Sequence, residues 1–137
     1  MREILFKGKR IDNGEWVEGC YAECNGKTFI GIDISIGIDD IFEVFCTPVI
    51  RWLEVDPETL CQFTGETDKN GKRIWESDVV WLVYDGKEHI YQIVWDNSEL
   101  DFKATNGEEN YGSNFEYLLC CDEIEVIGNI FDNKELL

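Results

Sequence analysis

Val79-Val80-Trp81-Leu82-Val83-Tyr84-Asp85-Gly86-Lys87-Glu88-His89-Ile90-Tyr91-Gln92-Ile93-Val94-Trp95 is the most informative stretch of this chain. β-Branched and aromatic residues dominate both arms around a central Asp-Gly pair. Such a pair readily supplies the two positive φ angles of a type I′ turn, whose twist matches that of paired strands. The stretch therefore predicts a hairpin. In its first arm Val79, Trp81 and Val83 form one alternate set and Val80, Leu82 and Tyr84 the other. Both sets are apolar, which predicts a strand buried on two faces.

Working outward, the same turn signal recurs at Asn13-Gly14, Asn25-Gly26, Asn70-Gly71 and Asn106-Gly107, so hairpins are expected along the whole chain. Ile4 to Lys9, Trp16 to Cys24 and Thr28 to Ile34 read as a three-stranded meander. Ile41 to Val49 could line a short helix with Ile41, Phe42, Val44 and Phe45, but Pro48 and the β-formers predict a strand. Asp56-Pro57-Glu58 offers an N-cap, a first-turn proline and an acid, and so predicts one helical turn before Leu60. Asp96 to Asn110 is polar and acidic and reads as loop or hairpin end, with a mobile tip at Asn106 to Asn110. Ser113-Asn114-Phe115-Glu116 has capping-box spacing and predicts the start of a short helix through Leu119. Ile124, Val126 and Ile130 mark a closing strand. Asn133 to Leu137 predicts a last turn of helix, its two leucines packing on the body or on a neighbouring subunit. The expected class is all-β, divided near Asp56-Pro57 into an N-terminal β-rich lobe, residues 1–56, and a C-terminal barrel of short strands, residues 57–137.

The chain has 137 residues, 44% of them hydrophobic, enough for a core without metal or disulfide support. Against 29 acidic residues there are 12 basic ones, a formal net charge of −17. Direct nucleic-acid binding is not expected, because phosphate contacts need positive charge to displace counterions. An anionic membrane surface is unfavourable for the same reason. Aromatic residues at 13%, including Trp16, Trp52, Trp75, Trp81 and Trp95, argue for a folded chain rather than disorder. No apolar run reaches bilayer-spanning length, and the start of the chain lacks a signal-peptide core, so a cytoplasmic location is expected. The six cysteines are then expected to be reduced and mostly buried. Cys20, Cys24, Cys120 and Cys121 could be imagined as a zinc site. Adjacent cysteines on a strand, however, point to opposite faces and do not easily share a tetrahedral metal.

Chemistry is weakly represented. His89 is the single histidine and lies in a strand-like run. None of Ser35, Ser77, Ser98 and Ser113 sits in a nucleophile elbow, and there is no phosphate-binding loop or dinucleotide fingerprint. Carboxylates are so abundant that any pair can be nominated as acid and base. Asp39-Asp40 and Asp96 to Asp101 lack calcium-loop spacing. The expectation is no catalytic residue, no metal and no cofactor.

One run carries a family likeness: Val55-Asp56-Pro57-Glu58-Thr59-Leu60, Gln62-Phe63-Thr64-Gly65, Asp68-Lys69-Asn70-Gly71-Lys72 and Trp75-Glu76-Ser77-Asp78-Val79-Val80. It resembles the signature of the YopX family of phage and prophage proteins. The likeness extends to Arg2 to Arg10 and Glu15 to Gly19 at the start, and to Glu125 to Phe131 with Glu135-Leu136-Leu137 at the close. Ser77 stands where the family usually has glycine, which puts a positive φ there in doubt. Lys134 stands where proline is usual. The resemblance implies an SH3-like C-terminal barrel, a β-rich N-terminal part and self-assembly, with no established activity. Among its residues Gly65, Gly71 and Gly128 fit backbone roles, Phe63 and Trp75 fit a core, and Asp78 could accept backbone hydrogen bonds at a strand entry. The functional alternative is that Thr64, Asp68 and Asp78 line a site. The function expected first is a non-catalytic module that binds a host or phage protein. A self-assembling homo-oligomer comes second, and an enzyme with an unfamiliar site last.

Overall fold

The computed structural model describes residues 3–34, 49–106, 115–117 and 121–136. The chain divides between Gln62 and Phe63 into two compact units. Every strand pairing is antiparallel, and among the described residues no sheet closes into a barrel.

The N-terminal unit contains β1 (Phe6–Lys9), β2 (Trp16–Cys24), β3 (Lys27–Asp33) and β4 (Ile50–Val55), hydrogen-bonded in the order β4-β3-β2-β1. The predicted meander is thus present, with β4 added beside β3. β2 and β3 are joined by Asn25-Gly26 at φ 52° and 76°, the two positive angles of a type I′ turn. Asn13-Gly14 is different, since only Gly14 has positive φ and the loop runs from Arg10 to Glu15. There the Asn13 side chain accepts the Glu15 N–H and holds the longer loop itself. Ile30, Leu53 and Val55 are buried on one face of the sheet. A 3-10 turn, Pro57–Thr59, follows β4, with the Asp56 carboxylate accepting the Glu58 N–H as an N-cap. This turn and the start of the next strand stay with the N-terminal unit. Thr59 Oγ1 accepts the Lys9 N–H at 2.9 Å, and Cys61 and Gln62 pair with Lys7 and Phe6.

The C-terminal unit continues that strand, β5 (Cys61–Thr67), and adds β6 (Arg73–Trp75), β7 (Asp78–Tyr84), β8 (Lys87–Asp96), β9 (Asp101–Thr105), β10 (Phe115–Tyr117) and β11 (Glu123–Asn129). Five of these form a sheet in the order β10-β9-β8-β7-β11, while β5 pairs with β6. The β7–β8 hairpin turns at Asp85-Gly86 with φ 50° and 74°, as the opening stretch requires. Its core is Ile74, Val80, Leu82, Tyr91, Ile93, Phe102 and Ala104.

Three expectations are corrected in this unit. β7 is not buried on both faces, because Trp81 and Val83 on one face are only partly buried, Tyr84 at the end of the other is exposed, and Trp81 is capped by the Lys69 ammonium 5.0 Å from its ring centre. The acidic stretch after Trp95 is not all loop. Asp101–Thr105 is a strand that puts Phe102 and Ala104 in the core through its ladder to β8. Phe115–Tyr117 is likewise a strand, because pairing with β9 outweighs the weak local capping signal. The closing strand and the final 3-10 turn, Lys134–Leu136, match the expectation. Most of the strand predicted at Ile41 to Val49, most of the tip at Asn106 to Asn110, and Leu137 lie outside the described residues.

Candidate functional site

Of the signature residues, Phe63, Thr64, Gly65, Asp68, Gly71, Trp75 and Asp78 lie in the C-terminal unit on or beside the β5–β6 hairpin, while Val55 to Gln62 belong to the N-terminal unit and Gly128 to β11. β5 bulges between Phe63 and Thr67, where Gly65 adopts φ 90°. At the bulge the buried Thr64 hydroxyl donates to the Ile74 carbonyl at 2.7 Å and accepts the Glu66 N–H. Phe63 and Trp75 are buried with ring centres 5.5 Å apart. Asp78, also buried, accepts the Trp75 N–H at 2.8 Å at the entry to β7.

Asp68 is the hub of the five-residue turn. Its Oδ1 accepts the N–H groups of Asn70 and Lys72, both at 2.9 Å, and its Oδ2 accepts the Val126 N–H of β11 at 3.0 Å. Beside it the Lys69 N–H donates to the Ile124 carbonyl. Side chain and backbone together continue the ladder past the edge of β11, so this edge is covered by the turn. Asn70-Gly71 is therefore not a two-residue hairpin. Gly71 alone has positive φ, 79°, and the aspartate satisfies the amides that the wider loop would leave open. Burial would raise the Asp68 pKa, but the three amide donors, with the Lys72 charge, hold it below the usual carboxylate value. In the β8–β9 turn the Ser98 hydroxyl and the Lys103 ammonium, 3.0 Å away, lower the Asp96 pKa as well.

Both shifts have one sign. A carboxyl whose folded pKa is depressed contributes stability above its unfolded pKa and loses it as pH falls through the folded value. Stability is expected to hold across neutral pH and to decline below about pH 4, near the unfolded aspartate pKa. An acid titration of unfolding free energy checks this, and Asp68→Asn should flatten the decline.

Ser77 corrects the doubt raised by the missing glycine. It holds φ 72°, pinned by its N–H to the Ile93 carbonyl and by the Ile130 N–H to its own carbonyl. Ser77→Gly keeps both bonds and removes the left-handed strain, so it is expected to stabilise the protein by about 1 kcal/mol. A raised denaturant midpoint is the readout. Near the chain's end Gly128 leaves room for Asn133 and Leu136. An added β carbon would lie 2.5 Å from Asn133 Oδ1 and 2.9 Å from Leu136 Cδ1, so Leu136 packs on its own unit.

The N-terminal unit presents a different feature, one that sequence reasoning missed. Gly31 sits opposite Cys20 on β2 and Trp52 on β4. A β carbon there would lie 2.7 Å from Ile50 Cγ2 and 2.8 Å from both Cys20 Sγ and Trp52 Cζ3. These side chains close over the glycine yet face solvent, with Trp52 48% and Ile50 37% exposed. Cys20 and Cys24 are free and exposed, against the expectation of buried thiols, because the even positions of β2 lie on this outer face. The available signal was Gly31 itself, since glycine inside a strand marks close approach. On the same face Trp16 is flanked by Lys7 and Lys9 at 4.6 and 5.4 Å. A depression of about 170 Å³ lined by Arg10, Ile11, Asp12, Leu53 and Glu54 lies in this unit and is smaller than the roughly 300 Å³ at which small-molecule sites begin. His89 stacks on Tyr91 at 4.9 Å in β8. Among the described residues no cluster of histidine, cysteine and carboxylate groups could hold a metal ion, and no helix is long and apolar enough to cross a membrane.

The family model described as YopX protein matches residues 6–137, nearly the whole chain. The chain belongs to the YopX family. The crystal structure of protein EF1440 from Enterococcus faecalis superposes on this YopX chain with a TM-score of 0.55 at 21% identity, covering 100% of this chain and 99% of that one. At that identity the likeness is one of fold. No curated protein matches the chain.

Proposed function

We propose that this YopX protein is a non-catalytic, phage- or prophage-encoded accessory module that binds another protein in the host cytoplasm. The observation that carries the reading is the solvent-facing apolar cluster of Trp52, Ile50 and Cys20 over Gly31. Exposed large apolar groups gathered at one place mark interaction surfaces more often than scattered ones do. The hydrogen bonds that Thr64, Asp68 and Asp78 make to backbone support a structural part for the signature. The net charge of −17 favours a basic partner and a salt-sensitive encounter. In this reading the C-terminal unit is an SH3-like module, a meander of short strands with tight hairpins and a closing 3-10 turn, that carries much of the acidic exterior.

Affinity capture from host lysate tests the proposal, comparing the intact chain with Trp52→Lys. One basic partner, retained at low salt by the intact chain and lost by the variant, is the expected result. Equal recovery by both forms, or no partner at low salt, would overturn it.

A further inference from the structure

The register of β4 shows which of its backbone groups point away from the sheet. The Ile34 N–H donates to the Val49 carbonyl at 2.9 Å, and Ile32 pairs with Arg51 and Ile30 with Leu53. Hydrogen-bonded pairs alternate in an antiparallel ladder, so Val49, Arg51, Leu53 and Val55 bond to β3. Ile50, Trp52 and Glu54 therefore direct their N–H and C=O outward. The Ile11 N–H confirms this by donating to the Glu54 carbonyl at 3.1 Å, beside the bridge between Arg10 and Val55. That bridge covers one end of the β4 edge. Among the described residues nothing pairs with the outward groups of Ile50 and Trp52.

Among the described residues no turn covers this half of the edge as the Asp68 turn caps β11 in the C-terminal unit. Ile50, Arg51 and Trp52 are all exposed, and no proline or bulge interrupts them. On the face of Ile50 and Trp52 lie Asp33, opposite Ile50, and Glu54, two residues beyond Trp52, with the Lys27 ammonium 3.9 Å from the Glu54 carboxylate.

We propose that β4 receives an extended segment of a basic partner protein as an added strand, bonded to the outward N–H and C=O of Ile50 and Trp52. The segment presents apolar side chains to Ile50 and Trp52, and its lysine or arginine residues answer the net charge of −17. Backbone pairing supplies affinity and the alternate side chains supply selectivity. A second copy of the chain fits less well, because it brings the same net charge of −17 to the edge. The proposal rests on the protein-binding reading and names where and how the partner docks.

The test pans a random linear peptide library against the full chain at low salt and follows amide exchange with the peptides selected. Selected peptides should alternate apolar residues and carry lysine or arginine. Their binding should slow exchange at the Ile50 and Trp52 amides. N-methylation of a peptide should abolish binding at every second position only, the signature of a one-edged ladder. Trp52→Lys should weaken binding about tenfold or more, whereas Ile90→Lys in the C-terminal unit should leave it unchanged. Peptides that bind while both amides exchange as before would overturn strand addition and leave the binding-module reading standing. Slow exchange at both amides in the free chain, or self-association that protects them, would overturn it by showing the edge already taken. Failure to select any peptide would count against both readings.

Discussion

Asp68→Ala is expected to destabilise the C-terminal unit by about 4 kcal/mol, because it removes a charged acceptor from three backbone donors, each such bond contributing roughly 1.5–3 kcal/mol. The sum is discounted because Asn70 and Lys72 lie in an exposed turn where water can replace part of what is lost. Val126 cannot be compensated in that way while β11 keeps its place, since its N–H is aimed at the vacated Oδ2 position. Asp68→Asn keeps the size and one acceptor oxygen but places an NH₂ against one of the donors, and should lie between the two. Denaturant unfolding of the three proteins checks the order: intact, Asn, Ala. An alanine variant within about 1 kcal/mol of the intact protein would show that the turn does not depend on the carboxylate.

A comparable loss is expected in the N-terminal unit from one methyl group. At Gly19 an added β carbon would overlap the Gly31 carbonyl oxygen and crowd Ile30 Cγ2 at 3.2 Å. A flexible side chain could swing aside, but a carbonyl inside a strand cannot move without disturbing the pairing of β2 with β3. Gly19→Ala is therefore expected to destabilise by about 3–4 kcal/mol, above the usual range for an overpacked core. Unfolding followed by the fluorescence of Trp16 and Trp52 reports on this unit. A change below about 1 kcal/mol would mean that the sheet relaxes around the methyl.

These two residues show how differently features were legible. Asp68 stood out within a recognisable run, but its third donor is 58 residues away in sequence. A local reading could call the turn and could not see that it seals a sheet edge. Asp101–Thr105 reads as loop from sequence because charge and nearby turn signals outweigh two apolar residues. Phe102 and Ala104 nonetheless alternate as a strand requires, and β8 supplies the partner that makes the alternation count. At Ser77 local preference argued against positive φ, and two long-range backbone bonds imposed it. The patch over Gly31 had one legible sign, a glycine inside a β run, with nothing to say which side chains would cover it.

The amino-acid order alone determined the all-β class, the type I′ corners at Asn25-Gly26 and Asp85-Gly86, the N-capped turn at Asp56 and the family. Each depends on φ preferences, alternation or side-chain reach over a few neighbouring residues. Tertiary structure alone decided which strands lie at an edge, which edge is capped by Asp68 and which has no partner among the described residues at Ile50 and Trp52, and where Trp52 meets solvent. Those properties belong to pairs of distant segments. A strand carries the same hydrogen-bonding groups on both sides, and only its neighbours determine which side stays unpaired.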